Sequence, residues 1–267
     1  MTDVPIEFPS LPARLGVRFG TDDDGLFGVL DPASVPMERG VFTMAALMFL
    51  ADAVAGVTID TDPDAWAFTS DLSVRTAGRP STGPLIGRCV VLRDGRRSTT
   101  CEIRFADDSG PVGAGYASFA RIARRESDPP KPPFDISTTI QRLTIPPIAI
   151  EFTAAAGFEV RGAGVVASSL RSDLLNPAGA MQGAIVAGLA EAAALDLADG
   201  LRAMGTERHV VSEMDVRYLA QNRTAPIVAR AECIGDPALG SVRIELTDAD
   251  GSGRLTTSVA ARLVPAP

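Results

Sequence analysis

The sequence is poor in the residues that most often bind metals or act as acid–base catalysts. Its 267 residues include one histidine, three cysteines and one tryptophan, and aromatic residues make up 5%. A zinc site needs several His or Cys ligands, and a single His209 cannot complete one. Cys89, Cys101 and Cys233 are an odd number without metal-ligand spacing. We therefore expect no bound metal, no disulfide framework and reduced thiols in a cytoplasmic protein.

Motifs for nucleotide binding and for serine hydrolases are also missing. The chain has no G-x-S-x-G elbow, no Walker loop and no G-x-G-x-x-G in a βαβ context. We interpret RGAGVV (161–166) as a chance glycine pair within a strand. His209 follows Glu207 and Arg208 at the start of a predicted strand, so we expect it to be exposed. These absences predict that the protein uses no cofactor.

Acidic residues outnumber basic ones, and no segment has the pattern of a signal peptide or of a membrane-spanning helix. With 25 Lys and Arg against 33 Asp and Glu, the net charge is −8. This balance argues against a general affinity for nucleic acid or for an anionic membrane. The start, MTDVPIEFPSLP, lacks the basic flank of a signal peptide. The most apolar run, 40–57, contains Asp52, so we expect a buried core helix instead of a membrane span.

The chain repeats itself once. LSVR at 72–75 recurs as MDVR at 214–217, 142 positions later, and RCVVLRD at 88–94 matches RAECIGD at 230–236 in the same register. An acid preceded by Leu-Ala closes an alanine-rich apolar run in both halves, as Asp52 and as Glu191. We expect an N-terminal domain over 1–122, a proline-rich linker or crossover over 123–150, and a C-terminal domain over 151–267.

Both halves show the same order of predicted elements, which is one strand, one long apolar helix and four strands. SVRIELTDADG at 241–251 has the period-two alternation of a half-buried strand before an Asp-Gly turn. The predicted helices span about 38–56 and 179–201. The predicted strands lie near 26–30, 65–75, 85–93, 99–106 and 112–122 in the first half, and near 158–170, 209–219, 226–234, 241–247 and 254–263 in the second.

A helix that is apolar on nearly all faces must be enclosed, and one antiparallel sheet can enclose it only by curling around it. This pattern resembles the hotdog fold. We therefore predict an α+β protein of two tandem hotdog domains that form a pseudo-dimer within one chain.

One loop carries a more specific resemblance. LLNPAGAMQGAIVAGLAEAA (174–193) resembles the active-site loop and helix of hotdog thioesterases of the phenylacetate-pathway (PaaI) and hydroxybenzoyl-CoA type. In those families an Asn or Gln precedes a Gly, His-Gly-Gly opens the helix, and an acid follows nine residues after the His. Asn176, Gly179, Gly183 and Glu191 match this pattern, but Gln182 replaces the His.

The resemblance implies two unequal sites, because the helix start of one domain faces the acid of the other. Site one would combine Asn176, Gln182 and Gly183 with Asp52, and site two would combine Thr43 with Glu191. The N–H of Gly183 is our candidate for the oxyanion donor. Gln182 or Asn176 would orient the thioester or the water, with Asp52 as nucleophile or general base. Candidates to bind the phosphates of coenzyme A are four arginines: Arg75, Arg79, Arg217 and Arg223.

The leading hypothesis is an acyl-CoA thioesterase whose site lies between the two repeats. The alternative is a non-catalytic acyl- or acyl-CoA-binding hotdog protein, suggested by the missing His and by the first loop, which lacks the motif. A hydratase is disfavoured, because hydratases of this fold use an Asp-His pair and His209 has no such partner in sequence. We also expect two such chains to pair as a homo-oligomer. Acyl length and aromaticity stay open.

Overall fold

The computed structural model describes residues 10–35, 37–76, 82–124, 135–143, 145–176, 179–201, 205, 207–248 and 253–267. They form four helices and twelve strands. The helices are α1 (Met44–Ile59), α2 (Ile136–Leu143), α3 (Phe152–Ala156) and α4 (Gly183–Gly200). The strands are β1 (Arg18–Asp22), β2 (Gly25–Leu30), β3 (Ala65–Thr76), β4 (Leu85–Asp94), β5 (Ser98–Asp107), β6 (Gly110–Ala123), β7 (Glu159–Gly162), β8 (Val165–Ser168), β9 (His209–Tyr218), β10 (Ile227–Cys233), β11 (Ser241–Thr247) and β12 (Leu255–Pro265).

All twelve strands belong to one antiparallel sheet. The strand order is β1-β2-β4-β5-β6-β3-β9-β12-β11-β10-β8-β7. Read inward from its two edges, the sheet therefore presents the same order in each half of the chain. The halves meet at β3 and β9, where Leu72 lies opposite Val216 and Val74 opposite Met214. This central strand pair makes the backbone hydrogen bonding continuous from one half to the other.

The two long helices share the interior with the buried face of the sheet. Helix α1 contacts β2 to β6, helix α4 contacts β8 to β12, and the two helices contact each other. Both are rich in Ala and Leu and mostly buried. Gly28 and Gly87, on adjacent strands, leave space for Leu50 of α1, which a Cβ on either glycine would crowd. Close packing against the sheet thus fixes the position of the helix that carries Asp52.

Most predicted elements agree with the structure in type. Strand β1 and helix α3 lie where no element is predicted, and two strands precede α1 instead of one, because a tight turn between Asp22 and Gly25 pairs β1 with β2. Helix α1 begins at Met44 and not near Glu38, because Glu38 bridges Val41 through a turn and Thr43 caps the helix. The single strand predicted over 158–170 is wrong. It is a hairpin of β7 and β8, because Gly164 turns the chain with a φ of 67°. The glycine pair in RGAGVV therefore belongs to a turn.

The expected exposure of His209 is also wrong. Its side chain is 6% exposed, because it lies in β9 opposite Pro265 of β12. Arg39 lies beside this residue, donating a hydrogen bond to its carbonyl oxygen and forming a salt bridge to Asp199. Neighbouring chain segments thus bury the start of β9.

Helix α2 lies within the range predicted as a linker. Its first turn is capped by Asp135, which accepts hydrogen bonds from the Thr138 backbone N–H and the Ser137 hydroxyl. The side chain of Thr138, together with those two bonds, lowers the pKa of Asp135 to about 2. No helix in the described ranges is long and apolar enough to cross a membrane. Cys89, Cys101 and Cys233 are free thiols.

Candidate functional site

The start of helix α4 presents an unused backbone donor. Gln182 is the N-cap residue, and its side-chain oxygen accepts a hydrogen bond of 2.6 Å from the N–H of Ala184. The N–H of Gly183, the first helical residue, finds no acceptor within the part of the chain that the structure describes. A helix N-terminus carries a positive partial charge, so this N–H is suited to an oxyanion.

Asp52 reaches this helix start from α1 of the other half. Its Oδ1 accepts a 2.6 Å hydrogen bond from the hydroxyl of Thr69 on β3, and its Oδ2 lies 3.4 Å from Nε2 of Gln182. Since the oxygen of the Gln182 side chain is taken by Ala184, its NH₂ must face Asp52. Burial raises the pKa of Asp52 above its ordinary value, and the bond from Thr69 opposes the shift.

Tyr218, the last residue of β9, completes this cluster. Its hydroxyl donates a 3.0 Å hydrogen bond to the carbonyl oxygen of Gly183. A Cβ on Gly183 would lie 3.1 Å from that hydroxyl, so the glycine allows the close contact. Burial, together with the nearby Asp52, raises the pKa of Tyr218 well above its ordinary value. The phenol is therefore a proton-bearing group at any physiological pH.

The equivalent position in the other half is filled by the protein itself. Glu191 of α4 is 7% exposed, and both of its side-chain oxygens lie 2.8 Å from the N–H of Met44, the first residue of α1. The N–H of Ala45 is 3.4 Å from one of them. The side-chain oxygen of Thr43 caps the helix in the place that Gln182 has at α4. No oxyanion could use the Met44 donor while Glu191 occupies it.

Two carboxyl groups share the region around the start of α1. Burial raises the pKa of Glu191 to about 8, the nearby Glu38 adds to the rise, and the N–H groups of Met44 and Ala45 oppose it. Burial also raises the pKa of Glu38, against the effect of a hydrogen bond from the N–H of Phe152. Glu191 is thus a largely protonated capping group near neutral pH.

The structure brings Gln182, Gly183 and Asp52 together, and it places Asn176 in the turn before them. The Asn176 side-chain oxygen accepts from the N–H of Ala180, and its backbone groups close the same turn with Ala180 and Gly179. These contacts hold the loop ahead of α4.

The arginines predicted to bind phosphates lie in different places. Arg75 and Arg217 project from the face of the sheet opposite to the helices, where they pair with Asp215 and Asp71 at 2.8 and 3.1 Å. Strand alternation causes this, because their neighbours Val74 and Val216 point to the core. Arg79 lies outside the described residues.

Arg223 lies on a loop that contacts the chain just before α4. It is exposed, and the preceding Asn222 accepts a 3.0 Å hydrogen bond from the N–H of Met181, next to Gln182. The Nε of Arg223 donates to the Gln221 side chain. The loop that carries Arg223 is thus tied to the chain just before α4.

Sequence reasoning missed Thr69 and Tyr218. It paired Glu191 with the start of α1, but it did not predict that Glu191 itself accepts the hydrogen bond from the Met44 N–H. A signal existed for Tyr218, which is one of only two tyrosines and ends the strand that follows the motif helix. Thr69 gave no such signal. A β-bulge follows it in β3, and the alternation of side chains between the two faces of the strand is interrupted there. In the described residues no group of three or more His, Cys, Asp or Glu could hold a metal ion.

Comparisons with known proteins identify the fold. Neither a family model nor a curated protein sequence matches the chain. Among solved structures, the TesB protein of Mycobacterium avium subsp. paratuberculosis is similar with a TM-score of 0.61 at 12% identity, covering 96% of this chain and 98% of that one. The 12:0-ACP thioesterase of Umbellularia californica gives 0.54 at 12%, covering 89% and 97%. A hot dog fold protein of unknown function from Alicyclobacillus acidocaldarius gives 0.50 at 14%, covering 95% and 97%. The resemblance that the sequence predicts is therefore confirmed for the architecture, and the chain has a hotdog fold.

Proposed function

We propose that this protein hydrolyses acyl-CoA thioesters to a free acid and coenzyme A at the start of helix α4. The observation that carries the proposal is the unused N–H of Gly183 beside the half-buried Asp52 and the side-chain NH₂ of Gln182. Addition of water to a carbonyl requires a hydrogen-bond donor that stabilises the oxyanion and a nearby general base, and Gly183 and Asp52 supply these two groups.

In this mechanism the thioester oxygen points at the N–H of Gly183. The Asp52 carboxylate takes a proton from a water molecule as that water attacks the carbonyl carbon, and the negative charge moves to the oxygen. When the tetrahedral intermediate collapses, the carbon–sulfur bond breaks and Asp52 returns the proton to the leaving thiolate. Thr69 and Gln182 hold the two carboxylate oxygens of Asp52, which orients it toward water and disfavours direct attack on the substrate.

The proposal involves one working site per chain. Each half of the sheet with its helix would be one hotdog unit, with the halves pairing as a pseudo-dimer. Glu191 fills the donor position at the start of α1, so catalysis is confined to the start of α4. Arg223, on the loop tied to the chain before α4, would contact a phosphate of coenzyme A. We further propose that two chains pair and that the protein acts in the cytoplasm, where its free thiols stay reduced.

Structural neighbours support hydrolysis of a thioester but do not decide its carrier. One is named as a 12:0-ACP thioesterase, and the name of another, thioesterase II of Thermobifida fusca, gives no carrier, so both coenzyme A and carrier-protein thioesters belong in the test. The net charge of −8 does not exclude a CoA substrate, because Arg223 supplies a local positive charge.

The test is thiol release from short, medium, long and aromatic acyl-CoAs, and from the same acyl groups on carrier protein. Asp52→Asn keeps the shape of the side chain and removes the base, while Glu191→Gln changes the equivalent acid of the other half. We expect Asp52→Asn to lose activity by about 10²- to 10⁴-fold and Glu191→Gln to retain it near pH 7. Equal activity of all three proteins would refute this site, and absence of release from every thioester would favour the acyl-binding alternative.

A further inference from the structure

Thr257 has a buried hydroxyl group that no described residue satisfies. The residue is 0% exposed, and its Oγ1 has no hydrogen-bond partner in the described ranges. Its neighbour Thr256 is also buried, but that hydroxyl bonds to Asn222 and to the carbonyl oxygen of Leu246. Buried polar groups are nearly always paired, and an unpaired one costs stability. The orphaned hydroxyl of Thr257 therefore calls for a partner from outside the chain.

The register of the sheet places this hydroxyl beside the proposed site. Thr257 of β12 lies directly opposite Tyr218 of β9, and both strands contact helix α4. Side chains at directly opposed positions project from the same face of an antiparallel pair. Since Tyr218 contacts Gly183, Thr257 neighbours a residue of the proposed site on the interior face of the sheet.

The equivalent pair in the first half has no phenol, and its one hydroxyl is paired. There Thr76 lies opposite Gly113, in the place of Tyr218 and Thr257, and the Thr76 hydroxyl donates a 3.3 Å hydrogen bond to the carbonyl oxygen of Ser212. The combination of a phenol and an unpaired hydroxyl thus belongs only to the half whose helix start is open, while Glu191 fills the other. A general demand of the fold would have placed similar groups in both halves.

We propose that Thr257 and Tyr218 recognise an oxygen substituent on the acyl chain, close to its carbonyl end, so that the substrates are 3-hydroxyacyl thioesters. This inference rests on the proposed thioesterase function. Tyr218 donates its proton to Gly183, so its oxygen can still accept a hydrogen bond from the substrate hydroxyl. Thr257 donates to the oxygen of the same substrate hydroxyl. One hydroxyl group a few bonds from the carbonyl would then satisfy both side chains, whereas a plain alkyl chain would leave Thr257 unpaired.

The test compares 3-hydroxyacyl-CoA with acyl-CoA of the same length, at four, eight and twelve carbons. We expect the native protein to prefer the hydroxylated substrate by about tenfold in kcat/KM at its best length, the effect of one or two neutral hydrogen bonds. Thr257→Val keeps the shape and removes the hydroxyl, so it should abolish the preference. Thr257→Ser restores a hydroxyl and should restore the preference, which a merely structural role would not produce.

Two results would overturn the inference while leaving the proposed function intact. One is equal kcat/KM for the members of every pair, and the other is an unchanged preference in Thr257→Val. Absence of hydrolysis for all substrates would instead refute the proposed function. In that case calorimetry with non-hydrolysable ketone analogues, in which CH₂ replaces the sulfur, decides the matter. Tighter binding of the hydroxylated analogue that Thr257→Val removes would uphold recognition, and equal binding would refute it.

Discussion

Replacing Glu191 by Gln should change how the stability of the protein depends on pH. The Glu191 pKa of about 8 lies well above the ordinary value of 4.5. The folded state therefore holds a proton that the unfolded chain has released between those two values. The raised pKa of Glu191 therefore contributes to the free energy of unfolding. The contribution is complete below pH 4.5 and is lost as the pH rises from about 4.5 to about 8.

The magnitude follows from the size of the shift. Each pKa unit corresponds to about 1.4 kcal/mol, so the free energy of unfolding should fall by about 3 kcal/mol between pH 5.5 and pH 8.5 from this group alone. Glutamine has the same shape and does not titrate. The stability of Glu191→Gln relative to the native protein should therefore improve by about 3 kcal/mol over that interval, whatever its value at pH 5.5.

Guanidinium unfolding of both proteins at pH 5.5, 7.0 and 8.5 measures this difference. Glu38→Gln is the matched control, because the Glu38 carboxyl contributes to the raised pKa of Glu191. In Glu38→Gln the free energy of unfolding should therefore fall by less between pH 5.5 and pH 8.5 than in the native protein. A constant difference between native protein and Glu191→Gln would refute the reasoning. It would mean that the N–H groups of Met44 and Ala45 stabilise the carboxylate as strongly as burial opposes it.

Three further changes test the site directly. Because Asp52 must be ionised to accept a proton and burial raises its pKa, thiol release should increase with pH through that raised pKa, and a pH–rate profile flat from pH 4 upward would contradict this role. Gly183→Ala should lower kcat by tenfold or more, since its Cβ would lie 3.1 Å from the Tyr218 hydroxyl and 3.3 Å from the ring; an unchanged kcat would argue against a close approach there. Arg223→Ala should raise KM for acyl-CoA about tenfold and leave KM for the matching acyl-pantetheine thioester unchanged. An equal effect on both substrates would contradict a contact between Arg223 and a phosphate of coenzyme A.

Hydrophobic pattern was sufficient to predict most of the fold. Strands such as β11 alternate strictly between buried and exposed residues, and the two long helices are too apolar to lie at a surface. The pattern did not predict short elements whose formation depends on neighbours. The hairpin of β7 and β8 is four residues a side, and its separation into two strands depends on the turn at Gly164.

The candidate site was predictable only where a local motif existed. The Gln182–Gly183 pair stands out at a helix start, and Asp52 is an acid inside an apolar run. Tyr218 and Thr257 enter the site through strand register, which a single sequence does not encode locally. The contrast between Asp52 and Glu191 was equally hidden, because it lies in their partners across the fold: Asp52 contacts the side chain of Gln182, whereas Glu191 accepts from the backbone N–H of Met44.

The central strands β3 and β9 join two halves of one chain. A substitution in one half therefore need not occur at the equivalent position of the other. In a symmetric dimer of identical chains, every substitution appears at both sites, so an acid cannot serve catalysis at one and cap a helix at the other. Here the two acids differ, and each helix start has a different neighbour. Under the proposed mechanism, covalent linkage allows Glu191 to cap a helix in one half while Asp52 serves as the base in the other. Such a division of labour also predicts that the two halves tolerate mutation unequally around otherwise equivalent positions.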